Sequence, residues 1–412
     1  MANRTRLHFG PRGTKVRQTL FSEIRLSPMS SSTTVVQAEP GKYEFFSTRV
    51  AFFIAGFTMS AWAPLVPLAK ARAGLDDGML GMLLLCLGAG SIITMPVAGY
   101  LTSRLGCRRV ILAAGALLCL VMPLLATAAS PWLLMSAVFV FGAGLGGLDC
   151  AMNIQAVLVE RASGRAMMSG FHGLFSVGGI AGAAGTTGLL SLGMEPLAAV
   201  LVVIALAVLG LLSAAPHLLN FGNGEPGPLF ARPRGIVLFM GVLCFIVFQA
   251  EGAVLDWSAV FLVGDHGMDP RYAGLGYAAF ASTMTVGRLT GDMIVTRLGG
   301  ARVVVIGGLV AALGLALSIL APGWSLALLG YALVGAGCSN IVPVLFTAVG
   351  RQKTMPQSAA IPAMTSLGYA GILIGPAAIG FIAHASSLAV ALGVMVLLLG
   401  FVAASGRVLA RG

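Results

Sequence analysis

From residue 48 almost to its end, the chain alternates long apolar runs with short polar turns. A helix needs about 20 residues to cross a bilayer, and each run is about that long. Membrane β-barrel strands are about 10 residues long and alternate polar with apolar side chains, which this chain does not do. The pattern therefore predicts an all-α membrane protein with twelve spanning helices, near 49–70, 79–103, 109–128, 132–159, 166–191, 195–216, 235–263, 272–296, 302–321, 324–349, 357–383 and 386–406.

The two halves of this pattern repeat one unit. The turn from Gly99 to Arg109 (GYLTSRLGCRR) recurs 193 residues later, from Asp292 to Arg302 (DMIVTRLGGAR). The same offset superposes Gly142 on Gly335 and many other glycines of the apolar runs. An internal repeat of this length predicts two pseudo-symmetric bundles of six transmembrane helices.

The predicted organisation follows from these features. Polar residues dominate the start of the chain, and glycines and prolines cluster between the two copies, as in a linker. We expect a disordered cytoplasmic tail over 1–47, six-helix bundles over 48–216 and 235–406, a cytoplasmic linker over 217–234 and a cytoplasmic C-terminus over 407–412.

Charge is scarce and unevenly placed. Charged residues make up 9% of the chain, against about 25% in soluble domains. All but four of the 25 lysines and arginines fall on one side of the predicted topology, the exceptions being Lys70, Arg72, Arg271 and Arg288. Because basic loops stay in the cytoplasm, we expect both termini on the cytoplasmic side of a bacterial inner membrane. The net charge of +11 therefore reflects topology, and no nucleic-acid partner is expected.

The sequence predicts no cofactor and no metal site. The six cysteines form no Cys-x-x-Cys pair. The glycine-rich runs neither follow a strand nor open a helix, so they do not make a nucleotide-binding loop. We expect no catalytic residues and no enzyme activity, and with no ATP site visible any energy input is expected to come from an ion or solute gradient.

The repeat, the helix count, the linker and the basic turns together resemble the major facilitator superfamily. The turn of that family reads G-x-x-x-D-R-x-G followed by basic residues, and the residues matching it here are Gly99, Arg104, Gly106, Arg108 and Arg109. The resemblance implies two parallel repeats that rock about a site at the membrane midplane.

The acidic position of this turn is missing. It is Ser103 in the first copy and Thr296 in the second. Asp292, one turn earlier on its helix, is our candidate to substitute for it. The predicted cytoplasmic gate comprises Gly99, Arg104, Gly106, Arg108, Arg109, Arg288, Asp292, Arg297, Gly299 and Arg302.

Two shorter segments resemble a narrower branch. Residues 147–153 (GLDCAMN) with 171–173 (FHG), and residues 251–258 (EGAVLDWS), are similar to the MosC/YbjJ-like transporters. The branch is more distantly similar to the fucose permease group, which implies a sugar-like solute.

Asp149 and Asn153 are the first candidates for the substrate and proton pathway. A carboxylate at the centre of a membrane helix costs about 2.5–3.5 kcal/mol, so it is expected to face the bundle interior. The two residues are four apart, so they point the same way. The pair is interpreted as a proton-carrying carboxylate with a substrate-orienting amide, or alternatively as a polar clamp between helices.

Four more candidates lie close together in the seventh predicted helix. Glu251, with Gln249 nearby, is expected to face the central cavity. Asp256 is about 140° further around the helix, so the two carboxylates cannot share one site. Asp256 and Trp257 are interpreted as an outer gate, with a hydrogen-bonded helix end as the alternative for Asp256.

His172 and Asn340 complete the predicted pathway. His172 could shuttle protons because histidine titrates near neutrality, or it could be an ordinary interhelical contact. Asn340 lies near the repeat counterpart of Asp149 and suits recognition of hydroxyl or carboxyl groups. Arg288 and Asp292, four residues apart, are expected to pair with each other as a structural or gate bond. Anion binding is the alternative for Arg288.

These features predict a proton-coupled secondary transporter working by alternating access. A small polar solute such as a sugar, polyol or related metabolite is the expected substrate. Efflux of a drug or metabolite by proton antiport, and a non-transporting membrane sensor or scaffold, are the alternatives. We expect protons, the solute and the lipid bilayer as partners, and a monomer.

Overall fold

The computed structural model describes residues 41–222 and 231–409. Residues 1–40 of the predicted tail, 223–230 of the predicted linker and 410–412 of the predicted C-terminus lie outside the described residues.

Over the described ranges the chain forms fourteen α-helices and no strand. They are α1 Lys42–Ala61, α2 Val66–Ala73, α3 Asp77–Leu105, α4 Cys107–Thr127, α5 Pro131–Ser163, α6 Met168–Ser191, α7 Pro196–Ala214, α8 Gly235–Gly264, α9 Leu275–Leu298, α10 Gly300–Leu320, α11 Trp324–Cys338, α12 Ile341–Arg351, α13 Gln357–Ala385 and α14 Leu388–Leu409. Below, the first half means α1–α7 and the second half means α8–α14.

These helices make twelve crossings, because α1 with α2 and α11 with α12 each form one. The predicted all-α fold with twelve membrane helices is therefore confirmed. Eleven crossings among the described residues are long and apolar enough to span a membrane. The remaining crossing, α9, is less apolar, since Arg288 and Asp292 lie within it.

The first crossing differs from the predicted helix over 49–70. It begins at Lys42, and a 3-10 turn over Ala63–Leu65 separates α1 from α2. Pro64 and Pro67 lack the N–H that a continuous helix needs, which explains the break. A ring contact stabilises the first turn of α1: the Tyr43 ring stacks on His217 with centroids 4.6 Å apart.

The tenth crossing is also broken where a single helix over 324–349 was expected. The helix stops at Cys338 and restarts at Ile341. Pro343 cannot donate to the carbonyl of Ser339, so the backbone turns at Ser339 and Asn340. This break exposes polar backbone and side-chain groups inside the bundle.

Glycines let neighbouring helices pack backbone against backbone. A Cβ on Gly178 or Gly182 of α6 would collide with a backbone carbonyl of α1, at Phe53 or Phe57. The α3–α5 contact is built in the same way, at Gly142. Small residues at such positions drive helix association in lipid, where the hydrophobic effect between helices is absent.

The two halves meet through α3 with α13 and through α6 with α9. One end of the molecule carries the turns at Gly106 and Gly299 together with the end of α12. We call it the basic end, because Arg104, Arg297 and Arg351 lie there.

Replacing Gly182 with alanine tests the helix packing. The new methyl group would meet the Phe57 carbonyl oxygen, and relieving such a clash costs about 1–3 kcal/mol. We expect Gly182→Ala to lower the thermal unfolding midpoint in detergent. Gly185→Ala on the same helix meets nothing within 4 Å and should leave the midpoint unchanged or slightly higher. Equal midpoints for the two variants would contradict the packing described here.

Candidate functional site

A line of polar side chains runs along the boundary between the halves. On α6, Ser169, His172 and Ser176 recur at helical spacing on one face. Across from them, α9 presents Arg288 and Asp292. We call these five residues the polar seam.

An ion pair between buried Arg288 and half-buried Glu251 joins the middle parts of α8 and α9. Nη2 of Arg288 is 3.4 Å from Oε1 of Glu251 on α8, and Nη1 donates to Ser176 Oγ at 3.1 Å. The first contact joins two helices of the second half, and the second contact reaches the first half. The 3.4 Å separation exceeds the 2.7–2.9 Å of a strong charge-assisted hydrogen bond, so the pair is a loose one.

The expected pair between Arg288 and Asp292 is wrong. Asp292 instead accepts a hydrogen bond from the backbone N–H of Gly170 at 3.0 Å. Sequence spacing placed the two side chains within reach of each other, but each finds a better partner on another helix. Arg288 meets a full carboxylate, and Asp292 meets the free amides at the start of α6.

Glu160 completes the cap of α6 and was not among the sequence candidates. Its Oε2 accepts from the N–H groups of Met167 and Met168, both at 2.8 Å. Its Oε1 accepts from Thr347 Oγ1 of the second half at 2.5 Å. Glu160 is 4% exposed. Its only sequence signal was an acidic residue among arginines at the end of an apolar helix.

Two carboxylates therefore satisfy the first N–H groups of α6, one from each half. The N-terminus of a helix carries about half a positive charge and attracts anions. Asp292 and the hydrogen bond from Thr347 to Glu160 both cross the boundary between the halves. These contacts tie the halves together at the basic end.

Asp149 and Asn153 lie on one face of α5, as their spacing predicted. Asn153 Nδ2 donates to the Asp149 carbonyl at 2.9 Å and to Asp149 Oδ1 at 3.3 Å. Both side chains are buried. Asp149 lies within electrostatic range of Tyr369 and Cys244, which belong to the second half. It therefore faces the boundary between the halves.

The two central carboxylates approach one region. Cys244 on α8 lies within electrostatic range of both Asp149 and Glu251. Beside it, the half-buried rings of Phe248 and Tyr369 meet edge to face with centroids 5.9 Å apart. Tyr369 thus joins the site as an aromatic side chain, although the sequence did not place it among the polar candidates of the pathway.

His172 is buried among aromatic rings. Its ring lies 5.2 Å from Phe52 of the first half and 5.5 Å from Phe346 of the second half, between centroids. The histidine thus stands at the boundary, within electrostatic range of Arg288. Its placement permits either a proton shuttle or an ordinary interhelical contact, the two roles considered from the sequence.

Asn340 occupies the break between α11 and α12. Its Nδ2 donates to the Gly287 carbonyl and to Ser339 Oγ, both at 3.0 Å. A Cβ on Gly291 would collide with both Asn340 and Ser169. Gly291 thus lets the amide approach the polar seam of the first half.

Nine buried polar side-chain atoms of the described residues have no protein partner. Each such atom costs about 1–3 kcal/mol, so it is an exception that needs an explanation. Four of the nine belong to candidates on α5, α6, α9 and the break between α11 and α12, two in each half: Asn153 Oδ1, His172 Nε2, Arg288 Nε and Asn340 Oδ1.

The remaining candidates of α8 lie apart from this group. Gln249 packs against Gly375 of α13, on a different side of α8 from Glu251. Asp256 is exposed. Trp257 lies against Gly380 of the same half, and its Nε1 has no partner among the described residues. The structure does not bring these three residues together with Glu251.

The first basic turn is built mainly by its backbone. Gly106 takes a φ of +85° between α3 and α4. The N–H groups of Cys107 and Arg108 donate to Phe221 and Leu219 at 3.2 and 2.8 Å, so the chain after α7 pairs with the turn. Arg104 stacks over Tyr100 at 5.0 Å.

The hydroxyls at the missing acidic position make only local bonds. Ser103 donates to the Tyr100 carbonyl and Thr296 to the Asp292 carbonyl, both at 2.7 Å. Gly99, the repeat counterpart of Asp292, packs against Ser358 and Pro362 of α13. The bonds across the boundary therefore come from Asp292 and not from the turn itself.

The second basic turn follows the same design with fewer contacts. Gly299 takes a φ of +79° between α9 and α10. Arg297 and Arg302 are exposed and line a cavity at the basic end.

The known protein families and sequences that this chain resembles are described as membrane transporters or membrane proteins. A family model described as Major Facilitator Superfamily matches residues 50–349. The chain is 56% identical over 385 residues to an uncharacterized MFS-type transporter of Yersinia pestis, covering 93% of this chain and 100% of that protein. It is 32% identical over 365 residues to the membrane protein MosC of Rhizobium meliloti, covering 87% and 88%.

Solved structures with the same fold include the E. coli fucose:proton symporter FucP. One FucP structure matches with a TM-score of 0.73 at 18% identity, covering 89% of this chain and 97% of that chain. Another, described as the outward conformation, matches with a TM-score of 0.76 at 17% identity, covering 89% and 98%. At these identities the likeness shows the shared fold.

Breaking the buried ion pair should reveal how strongly the two partners depend on each other. Removing one partner of a buried pair costs about 3–5 kcal/mol, because it leaves an uncompensated charge. We expect Arg288→Met and Glu251→Leu each to lower the unfolding midpoint in detergent, and the double variant to lose less than the sum of the two. Additive losses would show that the two side chains do not interact.

An exposed ion pair provides the control. Asp269 and Arg271 form a salt bridge in the loop after α8, and exposed pairs contribute little to stability. Asp269→Asn should leave the unfolding midpoint within measurement error.

Proposed function

The chain belongs to the major facilitator superfamily and is a multi-pass membrane transporter, and from this premise we propose that it moves a small polar solute by proton-coupled alternating access. The solute class we propose is a sugar, a polyol or a related metabolite. In this proposal the basic end faces the cytoplasm across a bacterial inner membrane, and the protein works as a monomer.

The observation that carries the proposal is the set of four buried polar atoms without a protein partner. They come from Asn153, His172, Arg288 and Asn340, two on each side of the boundary. Amide oxygens accept hydrogen bonds and a guanidinium donates them, which suits a solute rich in hydroxyl groups. A solute bound there would repay part of the cost of burying these atoms.

Aromatic rings support a sugar-like solute. The edge-to-face pair of Phe248 and Tyr369 is half-buried beside Asp149. Small-molecule sites combine apolar and aromatic walls with a few fixed polar groups, and this region has both. FucP, which shares the fold, is described as a fucose:proton symporter, and that likeness favours the same solute class here.

Alternating access requires the basic end to open and close. The contacts of Asp292 with α6 and of Glu160 with Thr347 join the halves there. We propose that these bonds form the closed state of the gate and that they break when the halves rock apart. The same groups of α6 would then be exposed to water, which can replace the lost acceptors.

Proton coupling follows from the central carboxylates. Protonation removes the charge of a carboxylate and so changes the free energy of closing protein over it. Asp149 and Glu251 come from different halves and lie within electrostatic range of the same cysteine. In our proposal one of them takes up a proton as the solute binds.

A thermal-shift screen of the purified protein against monosaccharides, inositols, amino acids and drugs tests the solute class. We expect stabilisation by a hydroxyl-rich compound. Stabilisation by apolar drugs alone would overturn the sugar or polyol assignment and support efflux.

The coupling groups are tested with the solute that this screen identifies. In proteoliposomes, Asp149→Asn or Glu251→Gln should abolish accumulation driven by a pH gradient while solute exchange continues, because a neutral side chain carries no proton. Asp269→Asn removes an exposed carboxylate from a loop and should accumulate solute normally. If both site variants accumulate solute normally, the coupling assignment is wrong.

The gate is tested at Asp292. Asp292→Ala removes the acceptor of the Gly170 N–H at the start of α6, and a hydrogen bond to a charged group contributes about 1.5–3 kcal/mol. We expect at least about a tenfold faster reaction of a Ser169→Cys reporter with a membrane-impermeant maleimide, in a background without native cysteines. Thr296→Ala, one turn away and bonded only to its own helix, should leave that rate unchanged. An unchanged rate in Asp292→Ala would remove this residue from the gate.

A further inference from the structure

A cavity of about 1150 Å³ opens at the basic end, apart from the polar atoms of the central site. Its wall contains residues 164–166, between α5 and α6 of the first half. It also contains residues 292–293 and 295–302 and part of α12, from the second half. Anything bound in it would therefore touch both halves.

Four arginines border this cavity. Arg165 comes from the first half, and Arg297, Arg302 and Arg351 come from the second half. Among the described side chains, none of the four forms an ion pair. The positive-inside rule explains why arginines are common at this end, but it does not explain why four of them meet at one cavity.

The carboxylates in the same wall only partly offset the arginines. Glu160 and Asp292 line the cavity, and their oxygens accept from α6 amides and from Thr347. The wall therefore holds four guanidinium groups against two carboxylates, which leaves an excess of positive charge.

The corresponding space in the first repeat is occupied by the chain itself. There, Leu219 and Phe221 accept from the N–H groups of Arg108 and Cys107. Leu219 N–H donates to Gln155 Oε1 at 3.1 Å, and Gln155 is the repeat counterpart of Ala348 in the cavity wall. A peptide segment thus fills one copy, whereas the other copy presents an arginine-lined cavity.

We propose that this cavity is a binding site for a phosphate-bearing anion. The planar guanidinium group matches two phosphate oxygens at once, which makes arginine the preferred residue for phosphate recognition. The volume slightly exceeds the usual 300–1,000 Å³ of small-molecule sites, so it accommodates a phosphate group with its attached organic part. The ligand is either the headgroup of an anionic phospholipid or a soluble phosphate compound.

Binding joins arginines of both halves. On the alternating-access mechanism proposed above, the anion favours the state in which the basic end is closed. Binding of the anion is measured by unfolding midpoints and does not need a transport assay. A failed binding test would therefore overturn this site, whereas a failed transport test would overturn the proposed function.

Thermal unfolding in detergent with pyrophosphate tests the soluble source. We expect millimolar pyrophosphate to raise the unfolding midpoint by about 3 °C over sodium chloride of equal ionic strength. The double variant Arg297→Gln/Arg302→Gln should lose this shift. The repeat-equivalent double variant Arg104→Gln/Arg109→Gln loses the same charge away from the cavity and should keep it.

Nanodiscs test the lipid source. If the ligand is a lipid headgroup, phosphatidylglycerol should raise the midpoint over phosphatidylcholine in the wild type and in Arg104→Gln/Arg109→Gln. It should not do so in Arg297→Gln/Arg302→Gln. Equal shifts in the two double variants would overturn the site. The site would also be overturned if neither pyrophosphate nor phosphatidylglycerol raised the unfolding midpoint of the wild type.

The bridge between the halves is tested separately. Arg165→Gln should at least halve the shift produced by the effective ligand, because it removes the contact from the first half. Arg161→Gln, one turn earlier and outside the cavity wall, should keep the full shift. Equal shifts in these two variants would mean that the anion binds the second half alone.

Discussion

The backbone N–H groups at the start of α6 must find acceptors where the two halves meet, and this requirement shapes the basic end. Glu160 and Asp292 together accept from the N–H groups of Met167, Met168 and Gly170. One acid is local and the other belongs to the second half, so the helix is fully capped only when the halves are together. A buried amide left without an acceptor costs as much as a lost hydrogen bond. In the proposed mechanism, these backbone hydrogen bonds therefore favour the closed state of this end together with side-chain packing.

The repeat does not make the two contacts between halves alike. At equivalent positions, Asp292 bonds to α6 whereas Gly99 packs against Pro362 of α13. One contact depends on a charge at a helix terminus, and the other depends on the absence of a side chain. Only the charged contact can respond to protonation. The duplicated fold thus provides two contacts between the halves that occupy equivalent positions and differ in chemistry.

Hydropathy predicted the twelve crossings well, because lipid demands one length and one composition from every spanning helix. The breaks at Pro64 and Pro343 were visible as prolines but were not predicted, since proline is tolerated in membrane helices when neighbours satisfy the freed carbonyl. The contact of Asp149 with Asn153 followed from helical spacing. The partner of Arg288 did not, because spacing reports only neighbours on the same helix and Glu251 comes from another. Glu160 was missed for the same reason.

The central site distinguishes its two carboxylates by their partners. Glu251 faces a guanidinium, so protonating it would leave Arg288 as an unpaired buried charge. Asp149 receives only a neutral amide hydrogen bond from Asn153 on its own helix, and an uncharged carboxylic acid can still accept that bond. Proton uptake at Asp149 therefore breaks no ion pair, whereas uptake at Glu251 requires another anion or a solute to compensate Arg288. Within the proposed mechanism, Asp149 is the better proton carrier, and the pair of Glu251 and Arg288 is better suited to sensing what binds between the halves.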